Sequence, residues 1–208
     1  MKGLLARKVG MTQVFDEKGI IVPVTVLEAG PCYVVSLRTA EKDGYTATRL
    51  GFGAIKEKKV TKPLAGEFKK AGVKPVRRIA EFRGEPAEGV EVGQELKADV
   101  FQAGDVVSVT GTSKGKGFSG LVRRHHFGRG PVTHGSHNIR QPGSVGSVDA
   151  ARTWRGLKMA GQLGNVRTTT HGIKVVRVDP ERNLLMLRGA VPGPKNAVVM
   201  VRELVKRG

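Results

Sequence analysis

Residues 115–120, GKGFSG, have the glycine spacing GxGxxG, which lets a backbone approach the pyrophosphate of a dinucleotide. That chemistry also needs a long helix after the loop and, about 20 residues on, an acid that binds a ribose hydroxyl. Here the chain allows at most a short helix before Gly128, and Arg140 stands where the acid should be. A nucleotide-dependent transferase is therefore the weakest function that the motifs suggest.

Two other catalytic patterns also fail. A Walker loop needs four residues between its first two glycines, but Gly111 and Gly115 enclose three, and Gly117 stands where Ser or Thr would hold magnesium. A hydrolytic triad needs a carboxylate with its serine and histidine, and Asp149 is the one carboxylate within 111–167. We therefore predict no catalytic residue.

Four of the five histidines fall close together and raise the question of a zinc site. Zinc sites usually add cysteine or carboxylate ligands, and neither accompanies these histidines. The neighbouring arginines would repel a cation. RNA contact or packing is the better interpretation, and no metal site is predicted for His125, His126, His134 and His137.

The segment 111–167 is the most basic part of the chain. It has ten Lys and Arg residues against one acid, so +9 of the formal net charge of +18 lies there. Glycine recurs throughout and aliphatic residues follow no regular period, so the segment does not predict a hydrophobic core of its own. A flexible linker is the alternative, but ordinary linkers do not carry such an excess of one charge.

RNA is a partner on which such a segment can become ordered. Glycine lets the backbone approach phosphates, while Arg and Lys neutralise their charge. Trp154 offers a flat face for an unpaired base, although a hydrophobic contact inside the protein is an equal alternative. The predicted RNA-binding residues are Lys114, Lys116, Arg123, Arg124, His125, His126, Arg129, His134, His137, Arg140, Arg152, Trp154, Arg155, Lys158 and Arg167.

The charge of the whole chain points to a polyanion, either nucleic acid or an anionic membrane. No apolar run approaches the roughly 18 residues of a transmembrane helix, and Arg7 and Lys8 interrupt the apolar start before a signal sequence could form. We expect a cytoplasmic protein without a membrane partner. The single cysteine, Cys32, lies in an apolar run and predicts a core position.

The elements that must carry this segment are mainly β. Apolar and β-branched runs bounded by turn residues predict strands, and the turn DPER joins two of them in a hairpin over 173–189. Several short strands of this kind favour a barrel. The predicted strands are 20–28, 32–39, 106–111, 173–179, 183–189 and 197–205.

One helix interrupts the strands. Pro63 suits its first turn, Leu64, Phe68 and Ala71 share a face, and Gly72 can end it. We assign it to a small α+β insert over 55–98. Because this insert carries much of the acid, we expect it to contact RNA phosphate least.

Several segments together resemble the bacterial large-subunit ribosomal protein L-three family. They are MKGLLARKVGMTQVFDEKG at the start, TGTSKGKGFSGLVRRHHFGRG at 110–130, THGSHNIRQPGSVG at 133–146, KMAGQLGN at 158–165 and VVRVDPERNLLMLRGAVPGP at 175–194. The resemblance spans essentially the whole chain in order. It departs from the common pattern at 147–154, SVDAARTW.

The resemblance implies a translation-factor-like β-barrel, mainly β within the α+β class, with a long, largely irregular extension that reaches toward the peptidyl transferase centre. It also implies binding of the large-subunit ribosomal RNA near its 3′ end, a role early in subunit assembly, and contacts with the large-subunit proteins numbered fourteen and nineteen. It implies no enzyme activity, no small-molecule substrate and no cofactor beyond Mg²⁺ ions of the RNA. We expect barrel segments at 1–54, 99–110 and 168–208, the insert at 55–98 and the extension at 111–167.

One rival belongs to a different class. A general architectural protein could bind DNA by charge alone, because phosphate contacts carry no sequence information. It would show little preference for RNA over DNA.

Overall fold

A computed structural model describes residues 2–85 and 89–204 of the 208-residue chain. The chain forms two compact units, one from 1–112 with 167–208 and one from 113–166. We call the first the barrel unit and the second the extension.

The strands are β1 (Gly3–Phe15), β2 (Ile21–Ala29), β3 (Cys32–Arg38), β4 (Ala47–Ala54), β5 (Val76–Arg83), β6 (Glu95–Leu96), β7 (Val106–Thr112), β8 (Phe118–Ser119), β9 (Gly161–Gln162), β10 (Arg167–Asp179), β11 (Leu184–Arg188) and β12 (Val198–Glu203). The α-helices are α1 (Ala40–Asp43), α2 (Lys62–Ala71) and α3 (Leu121–His125), and short 3-10 turns occur at Glu57–Lys59, Ala98–Val100 and Val148–Ala150.

The barrel unit contains a closed barrel in the order β1-β12-β7-β10-β11-β2, with β2 returning to β1. All neighbouring strands are antiparallel. The hairpin predicted for 173–189 is confirmed as β10–β11, with Val178 opposite Leu185. The mainly β fold with a barrel is thus confirmed, while position 205 of the last predicted strand lies outside the described residues.

Alternating apolar side chains fill the barrel. Val107 and Val109 on β7, Leu185 and Leu187 on β11, and Val201 on β12 are completely buried. Alternate residues of a strand face one side of the sheet, so each strand contributes every second side chain to this core. Burial of each such side chain contributes about 1.5–3 kcal/mol to stability.

A second sheet in the barrel unit has the order β5-β4-β3-β6. It begins with β3 at Cys32, so strands from 32–54 that we expected in the barrel pair instead with the insert. Gly51 on β4 permits this packing, because a Cβ atom there would lie 2.5 Å from Cγ2 of Val76 on β5. Cys32 is completely buried, as the sequence predicts.

Helix α2 has the predicted bounds. Pro63 lies in its first turn and Gly72 ends it in the left-handed conformation, with φ of 67°. Phe68 and Ala71 are buried, and Phe68 packs in a cluster with Val35 and Val76. Leu64, predicted on the same face, remains 38% exposed.

Strand β1 was not predicted, because Arg7 and Lys8 interrupt its apolar residues. Lys8 is nevertheless buried, and its Nζ donates hydrogen bonds to the carbonyl oxygens of Val191 at 3.1 Å and Gly193 at 3.2 Å. A buried ammonium needs such acceptors to offset its lost hydration. These bonds therefore allow a charged residue inside a barrel strand.

Candidate nucleic-acid interface

The extension joins the barrel unit at two neighbouring strand ends. Thr112, the last residue of β7, lies directly opposite Arg167, the first residue of β10. We call this pair the neck. Both ends of the extension are therefore fixed by one antiparallel ladder.

Backbone hydrogen bonds join the two limbs of the extension beyond the neck. The Ser113 amide donates to the Val166 carbonyl at 2.9 Å, and the Lys116 amide donates to the Leu163 carbonyl at 2.8 Å. Strands β8 and β9 continue the pairing. We call residues 113–120 and 161–166 the stem, which is ordered by its own backbone rather than by a hydrophobic core.

Glycine is required at one position of the stem. Gly164 has φ of +72°, and a Cβ atom there would lie 2.0 Å from the carbonyl oxygen of Lys114. An L side chain would meet both backbone strain and a collision with a main-chain atom. The fold of the stem therefore requires glycine at Gly164, in addition to the predicted need for glycine where the backbone approaches RNA phosphates.

Helix α3 follows the stem and confirms that only a short helix forms before Gly128. Arg124 Nη1 donates to the Met159 carbonyl at 2.7 Å, and His125 Nε2 donates to the same oxygen at 3.0 Å. Gly161 leaves room for this arrangement, because a Cβ atom there would lie 2.6 Å from Nη1 of Arg124. Two of the predicted RNA-binding residues thus hold the limbs of the extension together.

The other thirteen predicted residues are exposed. They follow the first limb from Lys114 to Arg140 and the returning limb from Arg152 to Lys158, with Arg167 at the neck. Within the described residues, none of these Lys and Arg side chains forms an ion pair with a carboxylate. Their charge is therefore available to a polyanion. The exposed set comprises Lys114, Lys116, Arg123, His126, Arg129, His134, His137, Arg140, Arg152, Trp154, Arg155, Lys158 and Arg167.

Trp154 is 59% exposed, and the guanidinium carbon of Arg152 lies 5.2 Å from its ring centroid. This geometry is a cation–π pair. Phe118 is 80% exposed on β8. The extension therefore presents aromatic surface beside its positive charge.

Across residues 2–85 and 89–204, no group of three or more His, Cys, Asp or Glu side chains is placed to hold a metal ion. The described helices are all too short or too polar to span a membrane. The four clustered histidines thus have no metal-ligand geometry in the described part of the chain.

Sequence reasoning selected cations by their local density and so missed isolated ones. Arg49, Arg83 and Arg202 lie far apart in sequence, yet they line one cleft of the barrel unit together with Arg167. No short motif signals this grouping, because β4, β5, β10 and β12, which carry these arginines, line one cleft only once the barrel unit has folded.

Taken together, the fold and the exposed cations define a class of protein: a basic β-barrel protein with one long cationic extension. The family model described as Ribosomal protein L3 matches residues 75–184. The chain is 54% identical over 205 residues to Large ribosomal subunit protein uL3 of Heliobacterium modesticaldum, covering 99% of this chain and 98% of the relative. It is similar in the same measure to the protein of that name from Carboxydothermus hydrogenoformans. A relative of the same name from Alkaliphilus metalliredigens is 51% identical over 209 residues, with full coverage of both chains.

The chain therefore belongs to the ribosomal protein L3 family. As a member of this family it is a structural constituent of the large ribosomal subunit, which is a cytoplasmic particle in bacteria. The resemblance given by its sequence motifs is confirmed.

Proposed function

We propose that this chain is a primary RNA-binding protein of the large subunit, which binds the large-subunit ribosomal RNA near its 3′ end and helps to nucleate subunit assembly. In this proposal the extension reaches toward the peptidyl transferase centre. The observation that carries the proposal is the exposed set of cations on the extension, which have no carboxylate partners among the described residues.

The mechanism is electrostatic. Arg and Lys side chains neutralise phosphates, and each neutralised phosphate releases condensed counterions from the RNA. Guanidinium groups such as that of Arg129 can donate two hydrogen bonds to one phosphate. Trp154 would stack on an unpaired base while Arg152 contacts the phosphate beside it.

The stem lowers the conformational entropy that RNA binding must remove. Backbone bonds such as Lys116 to Leu163 already fix the two limbs near the neck. The irregular segment 127–158 has fewer such bonds and would become fixed as RNA closes around it, at a cost of about 1–2 kcal/mol per ordered residue. Phosphate contacts and stacking would offset that cost.

The proposed role includes no catalysis by the protein and no cofactor other than Mg²⁺ ions held by the RNA. Peptide-bond formation would belong to the RNA, which the extension holds in place. The proposed protein neighbours are the large-subunit proteins numbered fourteen and nineteen.

The test compares the full chain with a variant in which 113–166 is replaced by an Asn-Gly turn. Both are titrated with large-subunit ribosomal RNA and with DNA of equal length across a salt series. We expect the full chain to prefer RNA at moderate salt, and its log–log salt slope to be steeper than that of the variant by about 0.7–0.9 for each phosphate that the extension neutralises.

Equal affinity for RNA and DNA, together with an unchanged slope on deletion, would contradict the proposal. The protein would then be an architectural polyanion binder whose recognition lies outside the extension.

A further inference from the structure

The barrel unit contains an open cleft of about 920 Å³, and its lining residues all belong to that unit. Strands β4 and β5 of the second sheet form one side of the cleft, and barrel strands that include β7 and β12 form the other. Four arginines line it, with Glu81 as the one acid among the lining residues. The arginines are Arg49, Arg83, Arg167 and Arg202.

One of these arginines is already neutralised. Arg49 Nη1 lies 3.3 Å from Oε1 of Glu67, and Arg49 Nε lies 3.6 Å from Oε1 of Glu81. Its side chain is only 16% exposed. Arg49 and Glu81 therefore form a fixed ion pair in the wall of the cleft.

The other three have no such partner. Neither Arg83, Arg167 nor Arg202 has a carboxylate oxygen within 4.0 Å among the described residues. The guanidinium carbon of Arg83 lies 5.0 Å from the ring centroid of Tyr45, which fixes its position without neutralising its charge. Three unneutralised guanidinium groups in one concave site create a positive potential that attracts anions.

The cleft also has an apolar part. Ile79, Val198 and Met200 are half-buried in its wall. An inorganic ion would use only the guanidinium groups, whereas a nucleotide brings a phosphate for the arginines and a base or ribose for the apolar wall. An acidic peptide offers separate carboxylates without the flat apolar face.

One lining residue ties the cleft to the RNA interface. Arg167 is the neck residue that was predicted to bind RNA as part of the extension. Arg83, in contrast, belongs to the insert that we expected to contact RNA least. The folding of the barrel unit places Arg83 in the same cleft as Arg167 and Arg202, although the sequence around Arg83 is acidic.

We propose that this cleft is a second phosphate-binding site, which takes an unpaired strand of RNA with its phosphates on Arg83, Arg167 and Arg202 and a base against Ile79 and Met200. The inference rests on the proposed function in one respect, since it takes RNA as the polyanion. It adds a site on the barrel unit that uses none of the cations of residues 113–166.

The test uses the full chain with Arg83→Ala and Arg202→Ala combined. The control combines Arg182→Ala and Arg188→Ala, which remove the same charge from exposed positions outside the cleft. Binding to large-subunit ribosomal RNA, to DNA of equal length, to the unpaired RNA poly(U) and to polyglutamate is measured across a salt series, and thermal unfolding checks that the variants fold alike. We expect the cleft variant to lose about tenfold in affinity per arginine, and its slope to fall by about 1.4. The control should change far less.

A third variant separates charge from geometry. Arg83→Lys with Arg202→Lys keeps both charges but loses the planar pair of donors. We expect it to retain the salt slope of the unmodified chain while recovering only part of the affinity. It also serves as the informative variant if the alanine pair does not fold.

Other outcomes distinguish the two proposals. If the unmodified chain prefers ribosomal RNA over DNA but the cleft variant has the same affinity and salt slope as the control, the cleft proposal is overturned and the proposed function stands. If the unmodified chain binds RNA and DNA equally, the proposed function itself fails. Loss of polyglutamate binding without loss of RNA binding would assign the cleft to an acidic protein instead. Ultraviolet cross-linking to ribosomal RNA should also mark 79–83 and 198–202, and its absence there would overturn the cleft site even without a folded variant.

Discussion

Lys8 shows that the hydrogen bonds of a residue in the fold can permit burial that its type argues against in sequence. In sequence, Lys8 interrupts an apolar run, whereas in the fold its Nζ donates to the carbonyls of Val191 and Gly193 and the side chain is 8% exposed. The interruption therefore hid a barrel strand, β1. Residue type alone does not determine burial when acceptors come from 183 and 185 positions away.

Cys32 gives a prediction at the same scale. Burial raises the pKa of its thiol to about 12 from an ordinary 9.0, opposed in part by the hydrogen bond from its Sγ to the Leu5 carbonyl. Since the thiolate is the reactive form, we expect no labelling by iodoacetamide at pH 8 in the folded chain and complete labelling in denaturant. Rapid labelling of the folded chain would show that the barrel opens readily at β3.

The same shift makes a stability prediction with a definite sign. Between about pH 9 and pH 12 the unfolded chain loses the thiol proton while the folded chain keeps it. The free energy of unfolding should therefore be unaffected by Cys32 below pH 9 and should fall above it. Urea denaturation at several pH values, compared with Cys32→Ala, isolates this contribution from that of other alkaline groups. Parallel pH curves for the two chains would contradict it.

At the scale of elements, the stem shows how a segment with little apolar content can still hold a shape. Its two limbs are joined by the Ser113–Val166 and Lys116–Leu163 bonds, and Arg124 and His125 tie α3 to the returning limb. Hydrogen bonds replace a core here, so the arrangement depends on backbone geometry. The stem can adopt that geometry only because glycine occupies positions such as Gly164.

Gly164→Ala should therefore loosen the stem. Its new Cβ would lie 2.0 Å from the Lys114 carbonyl oxygen at φ of +72°, so one limb must move and neighbouring bonds must lengthen. We expect faster trypsin cleavage after Lys114 and Lys116, with an unchanged thermal midpoint for the barrel unit. Gly128→Ala is the matched control, because a Cβ there meets no atom within 4 Å. Equal cleavage rates in both variants would show that the stem bonds do not protect this segment.

The sequence predicted those strands whose apolar residues are continuous or alternate cleanly, namely β2, β3, β7, the part of β10 over 173–179, β11 and β12. Strands β4 and β5 were missed because glycine, arginine and acid interrupt them, as in ATRLGFGA and VRRIAEFR. Their pairing depends on contacts such as Gly51 with Val76, which are distant in sequence. Local pattern thus identifies strands, but not to which sheet they belong.

The sequence likewise predicted only part of the candidate interface. Local charge density identifies the extension, because its cations follow one another along the chain. It does not reveal that Arg124 and His125 bind the Met159 carbonyl. Nor does it reveal that Arg83 and Arg202 lie in one cleft, since β5 and β12 come together only in the folded barrel unit.

At the scale of the whole molecule, the hydrophobic clusters of the described residues lie entirely in the barrel unit. The extension contributes charge and aromatic surface but no member of those clusters. The hydrophobic contribution to stability therefore comes from the barrel unit.

This separation predicts that the barrel unit folds without the extension. Replacing 113–166 by Asn-Gly places a two-residue turn between Thr112 and Arg167, which already lie opposite each other. We expect a cooperative thermal transition within about 2–4 °C of that of the full chain, which corresponds to about 1 kcal/mol for a unit of this size. Circular dichroism and calorimetry measure it. A variant without a cooperative transition would show that the extension is needed for the barrel to fold.

Because the ladder at Thr112 and Arg167 holds the two ends together whatever lies between them, the length of the intervening chain has little thermodynamic consequence for the barrel. Each doubling of a flexible loop costs only about 0.6 kcal/mol in closure entropy. Insertions, deletions and exchanges in the segment around 147–154 should therefore have little effect on the stability of the barrel. Extensions of other lengths, or with other tips, could therefore be inserted between Thr112 and Arg167 without loss of the barrel fold.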